Sequence, residues 1–196
     1  MELDAFWKVM EDCREQAHGM ESRSAWLKDE LARRPVKEIV GFQVCLDRVC
    51  EQAFTWDLWA AAERILGGWC SDDGFCYFRL WAVGLGHTAF ERAVQDPDTL
   101  AETPEVRRLA GRPRGAWGDH WPEWEELDYV AAEAHEQTTR ACGEFATFHE
   151  AVDVLQRDDE ALRDPLGKQW DVRDAVEASR RLPQLSSTFP ITIRRP

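Results

Sequence analysis

The sequence has little positive charge for its length and contains no long hydrophobic run. It carries 24 Lys and Arg against 37 Asp and Glu in 196 residues, which gives a formal net charge of −13. Such a surface repels phosphate groups, which argues against nucleic-acid binding. No apolar run approaches the roughly 18 residues of a membrane span, so we predict no membrane association. The first residues are acidic and lack a basic and then apolar leader, and we therefore expect a cytoplasmic protein.

Sequence signatures of metal binding and catalysis are also missing. The six cysteines form no C-x-x-C pair, and the five histidines form no H-E-x-x-H pair. No glycine loop for phosphate and no nucleophile elbow stands out. We predict no metal and no cofactor, and we expect the cysteines to be reduced and mostly buried thiols. Whether the protein is an enzyme is left open.

Tryptophan, in contrast, is abundant. Ten tryptophans and 44% apolar residues indicate a packed core. Apolar residues recur at helical spacing through most of the chain. We predict an all-α fold, a compact bundle of about eight to ten short helices with an aromatic-rich core and an irregular C-terminal tail. Five tryptophans are assigned to this core: Trp7, Trp26, Trp56, Trp59 and Trp81.

The segment Gly67–Arg79 is predicted to be a tight corner between two helices. Gly67 is typical of the left-handed residue that ends a helix. Ser71, Asp72 and Asp73 can cap the next helix and complement its positive end. That helix is apolar on every side, so we expect it to be buried. Arg79 is the single charge within it and would need a partner there, for which Asp72 and Asp73 are the near candidates.

The corner and four other segments carry a resemblance to a known family. The most specific part is Ser71–Phe75, and the matching segments are Asp4–Trp7, Thr55–Trp59, Gly67–Phe75, Phe90–Asp98 and Glu126–Ala132. Over about the first 140 residues the chain resembles DUF4240, a bacterial, mainly actinobacterial, domain of unknown function. Trp69 departs from the family pattern, in which the glycines are expected to precede Cys70 directly.

No activity is established for DUF4240, so the resemblance implies no reaction. We predict that residues 1–142 form the DUF4240-like helical domain. Residues 143–196 are predicted to form a C-terminal helical extension and tail, packed on the same core.

The corner offers the first group of candidate binding residues. Asp72 and Asp73 could bind Mg²⁺ or share acid–base work, and Arg79 could hold an anion. The alternative, which we favour, is that all three serve in capping and ion pairing. Cys70 could be a nucleophile, because a thiol at a helix N-terminus has a lowered pKa. An inert, buried thiol is the favoured interpretation.

The Gly- and Pro-rich loop, residues 111–124, offers the second group. Trp117, Trp121 and Trp124 could line an aromatic pocket or anchor a partner, or they could belong to the core. His120 could be a base oriented by its neighbouring carboxylate. Pro122 is predicted to begin a long helix with an acidic face.

These features favour a non-catalytic acidic protein-interaction module that contacts a basic protein partner through the 111–124 loop and the acidic helix. The attraction to such a partner would weaken as salt rises. The alternative is a small-molecule-binding protein or small enzyme with tryptophan walls and a pocket at the Asp72, Asp73 and Arg79 corner. A DNA mimic is a third hypothesis, and it would need a long face of carboxylates spaced like phosphates.

Overall fold

The computed structural model describes residues 1–139, 145–156 and 164–191. Within these ranges the chain forms helices and no β-strand. Thr55 and Leu166 make an isolated parallel β-bridge. The α-helices are α1 (Leu3–Gln16), α2 (Met20–Ala32), α3 (Val36–Gln52), α4 (Trp56–Leu66), α5 (Asp72–Val83), α6 (His87–Gln95), α7 (Pro104–Leu109), α8 (Val130–Thr139), α9 (Phe145–Gln156), α10 (Ala175–Arg181) and α11 (Pro183–Thr188). The all-α prediction is confirmed.

Short 3₁₀ helices connect some of these elements: Pro97–Glu102, Arg114–Ala116, Gly118–His120 and Glu125–Asp128. In the described part of the chain, no helix is both long enough and apolar enough to cross a membrane.

The chain divides into two compact units. The first comprises residues 1–51 and 124–162, and the second comprises residues 52–123 and 163–196. The first unit thus takes most of α1–α3 with α8 and α9, and the second takes α4–α7 with α10 and α11. Residue 142 lies outside the described residues, so the predicted division into residues 1–142 and 143–196 stays a prediction.

The first unit is built on aromatic packing and on the pairing of α2 with α8. The Phe6 ring lies 5.2 Å from the Trp7 ring and 5.0 Å from the Phe42 ring, so α1 is fixed against α3. Trp124 is only 1% exposed, and its indole N–H donates to Ser24 Oγ at 2.8 Å. Trp124 therefore belongs to the core of this unit.

The prediction that a long helix begins at Pro122 is wrong. The chain instead forms the 3₁₀ helix Glu125–Asp128, and α8 begins only at Val130. Trp124 has non-helical torsion angles (φ −143°, ψ 71°), while its side chain is held in the core by Ser24. The hydrogen bond to Ser24, 100 positions earlier in the chain, holds the Trp124 side chain in the core, and the backbone at Trp124 is not helical despite the helical spacing of the sequence.

The second unit contains a row of stacked rings, which we call the aromatic ladder: Phe54, Phe75, Trp59 and Trp56. Successive centroids along it lie 6.2, 4.5 and 5.5 Å apart, with interplanar angles of 22–28°. Six of the twelve α5 residues are buried, so the expectation from its apolar sides holds for half of the helix: Phe75, Phe78, Leu80, Trp81, Ala82 and Val83. Offset stacking of this kind adds to the stabilisation that burial already provides.

Candidate functional site

The corner between α4 and α5 is closed by glycine and serine, as the sequence predicts. Gly67 is left-handed (φ 90°) and its N–H bonds to the Arg64 carbonyl, while the Gly68 N–H bonds to the Glu63 carbonyl at 2.6 Å. Ser71 caps α5, since its Oγ accepts from the Gly74 N–H at 3.1 Å. The turn leaves Trp69 at its tip with 68% of its surface exposed.

Two adjoining clefts lie beside this corner, within the second unit. The smaller has a volume of about 240 Å³ and the larger about 460 Å³. Glu63, Trp69, Gln169 and Trp170 line both of them. The smaller cleft adds Trp56, Trp59, Ala60, Cys70 and Asp72, and the larger adds Gly68, Asp171, Val172 and Arg173. We refer to the pair as the tryptophan cleft, because four indole rings form its walls.

Hydrogen bonds and stacking fix the orientation of three of these rings, those of Trp56, Trp59 and Trp170. The Trp59 N–H donates to the Cys70 carbonyl at 3.3 Å, and its ring stacks between those of Trp56 and Phe75. The Trp170 N–H donates to Asp57 Oδ1 at 2.9 Å. All four cleft tryptophans keep part of their surface exposed, so rigid aromatic surface is available to a ligand.

One of these rings already contacts a cation. The Arg181 guanidinium carbon lies 5.4 Å from the centre of the Trp170 ring. The same guanidinium pairs with Asp57 at 2.9 Å, and Asp57 also accepts the indole N–H. This arrangement is a cation–π contact supported by a carboxylate.

Negative charge predominates in the tryptophan cleft. Its walls carry the carboxylates Glu63, Asp72 and Asp171 and a single guanidinium, that of Arg173. Burial raises the pKa of Glu63, Arg173 opposes this shift and Asp171 adds to it. Arg173 also donates to the Gly68 carbonyl at 2.9 Å, so one of its guanidinium donors is occupied by the backbone.

The Cys70 thiol lacks the lowered pKa on which the nucleophile hypothesis depends. The thiol is buried, and burial together with the charges of Glu123, Glu63 and Asp72 raises its pKa to about 12. A thiol with this pKa is protonated at neutral pH and is a poor nucleophile. Burial and the raised pKa favour the inert interpretation. The five cysteines within the described ranges, Cys13, Cys45, Cys50, Cys70 and Cys76, form no disulfide.

Of the three polar residues predicted at the corner, one is a described lining residue of the tryptophan cleft. Asp72 lines the smaller cleft, whereas neither Asp73 nor Arg79 is among the described lining residues. Asp73 is exposed in the first turn of α5. The Arg79 guanidinium lies over the ring of Phe54 at 4.8 Å, at the end of the aromatic ladder. That these residues bind a ligand stays a prediction.

The predicted residues of the 111–124 loop separate into core and surface. Trp117 is 2% exposed and donates to the Arg112 carbonyl at 3.3 Å, and Trp124 is equally buried in the first unit. The burial of Trp117 and Trp124 agrees with the alternative that they belong to the core. Trp121 is half-buried with its ring 5.1 Å from that of Trp117, and His120 is exposed. Partner binding through Trp121 and His120 stays a prediction.

Sequence reasoning missed most of the cleft. Helical spacing assigned Trp56 and Trp59 to the core, although both keep an exposed part. Glu63 and Trp170 carried no motif. The sequence distinguishes Trp69 only as a departure from the family pattern.

The residues that the structure describes include no group of three or more His, Cys, Asp or Glu that could hold a metal ion. The tryptophan cleft offers aromatic faces and carboxylates, and these groups suit reversible binding of an organic cation.

The fold and the cleft together define an all-helical, tryptophan-rich protein with an acidic aromatic cleft. Residues 1–137 match the sequence model of a family described as Protein of unknown function (DUF4240). The chain belongs to this family. No curated protein and no solved structure matches the chain. The wall formed by residues 169–173 lies outside the matched part, so residues inside and outside the family match both line the cleft.

Proposed function

We propose that the protein is a non-catalytic binding module whose tryptophan cleft accepts a cationic group, the basic side chain of a protein partner. One observation carries the proposal: four partly exposed indole rings and three carboxylates line two adjoining clefts. Aromatic faces attract ammonium and guanidinium groups, and each such contact contributes about 0.5–2 kcal/mol. Carboxylates beside the rings add Coulomb attraction.

Charge and size both support a cation as the bound group. The net charge of −13 favours encounter with a basic partner and disfavours an anionic one. The smaller cleft, at about 240 Å³, falls below the roughly 300 Å³ from which pockets for drug-sized ligands begin. It therefore suits the end of a side chain better than a whole metabolite.

Trp69 supports a protein partner in particular. It is 68% exposed at the tip of a rigid turn, and tryptophan is the residue type most enriched at binding hot spots. A free quaternary ammonium compound is the second candidate ligand, because the smaller cleft alone could enclose its head group. Binding to a protein partner would weaken steeply with salt, since several charges are then involved.

Replacing Trp69 with alanine is expected to weaken binding of a peptide that carries trimethyllysine by about tenfold, because one cation–π wall is lost. The free energy of unfolding should change by no more than about 0.5 kcal/mol, since the side chain is largely exposed. Isothermal titration calorimetry and urea denaturation measure the two effects. Val176→Ala, a truncation at an 80% exposed position of the same unit, should change neither. Unchanged peptide affinity in Trp69→Ala would contradict the proposal.

Binding of the same peptide is expected to weaken as pH falls through the raised pKa of Glu63. The trimethyllysine charge does not titrate, whereas protonation of Glu63 removes a negative charge beside it. Affinity should fall by roughly fivefold, which corresponds to about 1 kcal/mol, the attraction between two unit charges about 4 Å apart in bulk water. In Glu63→Gln the affinity should be lower at neutral pH and its pH dependence flatter. An identical pH profile in this variant would rule out Glu63 as a contact for the cation.

A further inference from the structure

A separate cavity of about 550 Å³ lies within the first unit. Its lining comes from α3, from the turn before α8, from α8 itself and from α9. The polar lining side chains that matter here are Gln43, Asp47, Asp128, His149, Asp153 and Gln156. None of them belongs to the tryptophan cleft.

Asp47 is a lining residue of this cavity that two glutamines hold by hydrogen bonds. Gln43 Nε2 donates to Asp47 Oδ1 at 2.8 Å, and Gln156 Nε2 donates to Asp47 Oδ2 at 2.6 Å. Both donors are neutral amides, and no Lys or Arg of the described chain forms an ion pair with this carboxylate. Burial raises the pKa of Asp47, Asp128 adds to the shift, and the two amides and His149 oppose it. The carboxylate is thus oriented but not neutralised by a permanent cation.

Gln43 supplies an independent sign of a missing partner. Its side chain lines the cavity although the residue is only 7% exposed. Its Nε2 is used by Asp47, while its Oε1 has no hydrogen-bond partner within the described ranges. A buried acceptor without a donor is unfavourable, so a bound group that donates here would be stabilised.

Taken together, within the described ranges Asp47 has no Lys or Arg partner and Gln43 Oε1 has no donor. Asp128 and Asp153 add two further carboxylates, and Ala132 and Val152 add apolar surface. An anion would be repelled by the three carboxylates. A quaternary ammonium group would supply charge but no N–H donor. A primary ammonium or a guanidinium supplies both.

We propose that this cavity binds a small organic cation that carries several N–H donors, a primary amine or a guanidine, through Asp47 and its two supporting glutamines. The site is distinct from the tryptophan cleft and does not depend on the function proposed for it. The two sites differ in what they select, since the cleft takes a cation by its aromatic faces and this cavity takes one by hydrogen bonds.

The test is a titration of the full chain with 4-aminobutylguanidine, followed by NMR of the glutamine side-chain amides and by calorimetry. We expect the Gln43 and Gln156 amide resonances to shift on binding. Asp47→Asn keeps the shape of the side chain but removes its charge and should weaken binding at least tenfold. Asp153→Asn, at an exposed position of the cavity wall where we expect the substitution to leave the fold intact, should weaken it at least threefold.

Asp29→Asn is the matched control, because Asp29 is an exposed carboxylate of the same unit outside this cavity. It should change the dissociation constant by less than twofold. Tetramethylammonium, which has the charge but no N–H donor, should leave both glutamine amides unshifted. The proposal is overturned if the guanidine shifts neither amide, if tetramethylammonium shifts them equally, or if Asp29→Asn weakens binding as much as Asp153→Asn does.

Discussion

Replacing Trp124 with alanine is expected to lower the free energy of unfolding by about 3–5 kcal/mol, the usual cost of truncating a buried aromatic side chain. Trp124 is 1% exposed, so the substitution leaves a large cavity in the first unit. It also leaves Ser24 Oγ without the indole donor that lies 2.8 Å away. Urea denaturation followed by far-ultraviolet circular dichroism measures the loss.

Two further variants show how much of this loss comes from the hydrogen bond and how much from the burial of the ring. Trp124→Phe keeps most of the ring but removes the N–H, so we expect a loss of about 1 kcal/mol from the hydrogen bond with a smaller contribution from volume. Trp69→Ala, the same truncation at a 68% exposed tryptophan, should cost almost nothing. If Trp124→Ala were as stable as Trp69→Ala, the core assignment of Trp124 would be wrong and the partner-anchor hypothesis would return.

Replacing Asp98 with alanine is expected to cost about 2–4 kcal/mol in the stability of the second unit. Asp98 is 3% exposed, and its two carboxylate oxygens accept the backbone N–H groups of Gln184 at 3.0 Å and Leu185 at 2.9 Å. Hydrogen bonds to a charged group contribute about 1.5–3 kcal/mol each, and the substitution leaves two donors of the first turn of α11 without an acceptor. Thermal and urea unfolding measure the loss.

The control for Asp98 is Asp119→Ala, which removes an exposed carboxylate from the same unit and should change stability by less than about 0.5 kcal/mol. Asp98→Asn keeps one oxygen acceptor and should fall between alanine and the wild type. Equal stabilities of Asp98→Ala and Asp119→Ala would show that Asp98 does not hold α11.

The helices were predictable because their signals are local. Ser71 caps α5 and Gly67 ends α4 in the left-handed conformation, both as the sequence indicates. The long helix predicted from Pro122 is absent because the contact that decides the structure there is not local. The residues after it have helical spacing, but Trp124 makes its decisive bond to Ser24, which local spacing cannot reveal.

The cleft was only partly predictable. Asp72 and the corner were recognised because capping and turn residues act on their neighbours. The wall formed by Trp170 was not, because Trp170 is held by Asp57, a residue 113 positions earlier. Helical spacing also cannot tell a fully buried tryptophan from one that keeps a face exposed, and this is the difference between Trp124 and Trp59.

Whether the tryptophan cleft binds cations is tested most directly by comparing choline with 3,3-dimethylbutan-1-ol, its neutral isostere. The two ligands have nearly the same shape, so a difference in binding reports the charge alone. We expect choline to change the tryptophan fluorescence saturably and to bind at least tenfold more tightly than the alcohol, with the difference reduced in Trp69→Ala. Equal affinity for the two ligands, or no saturable change with either, would contradict the account.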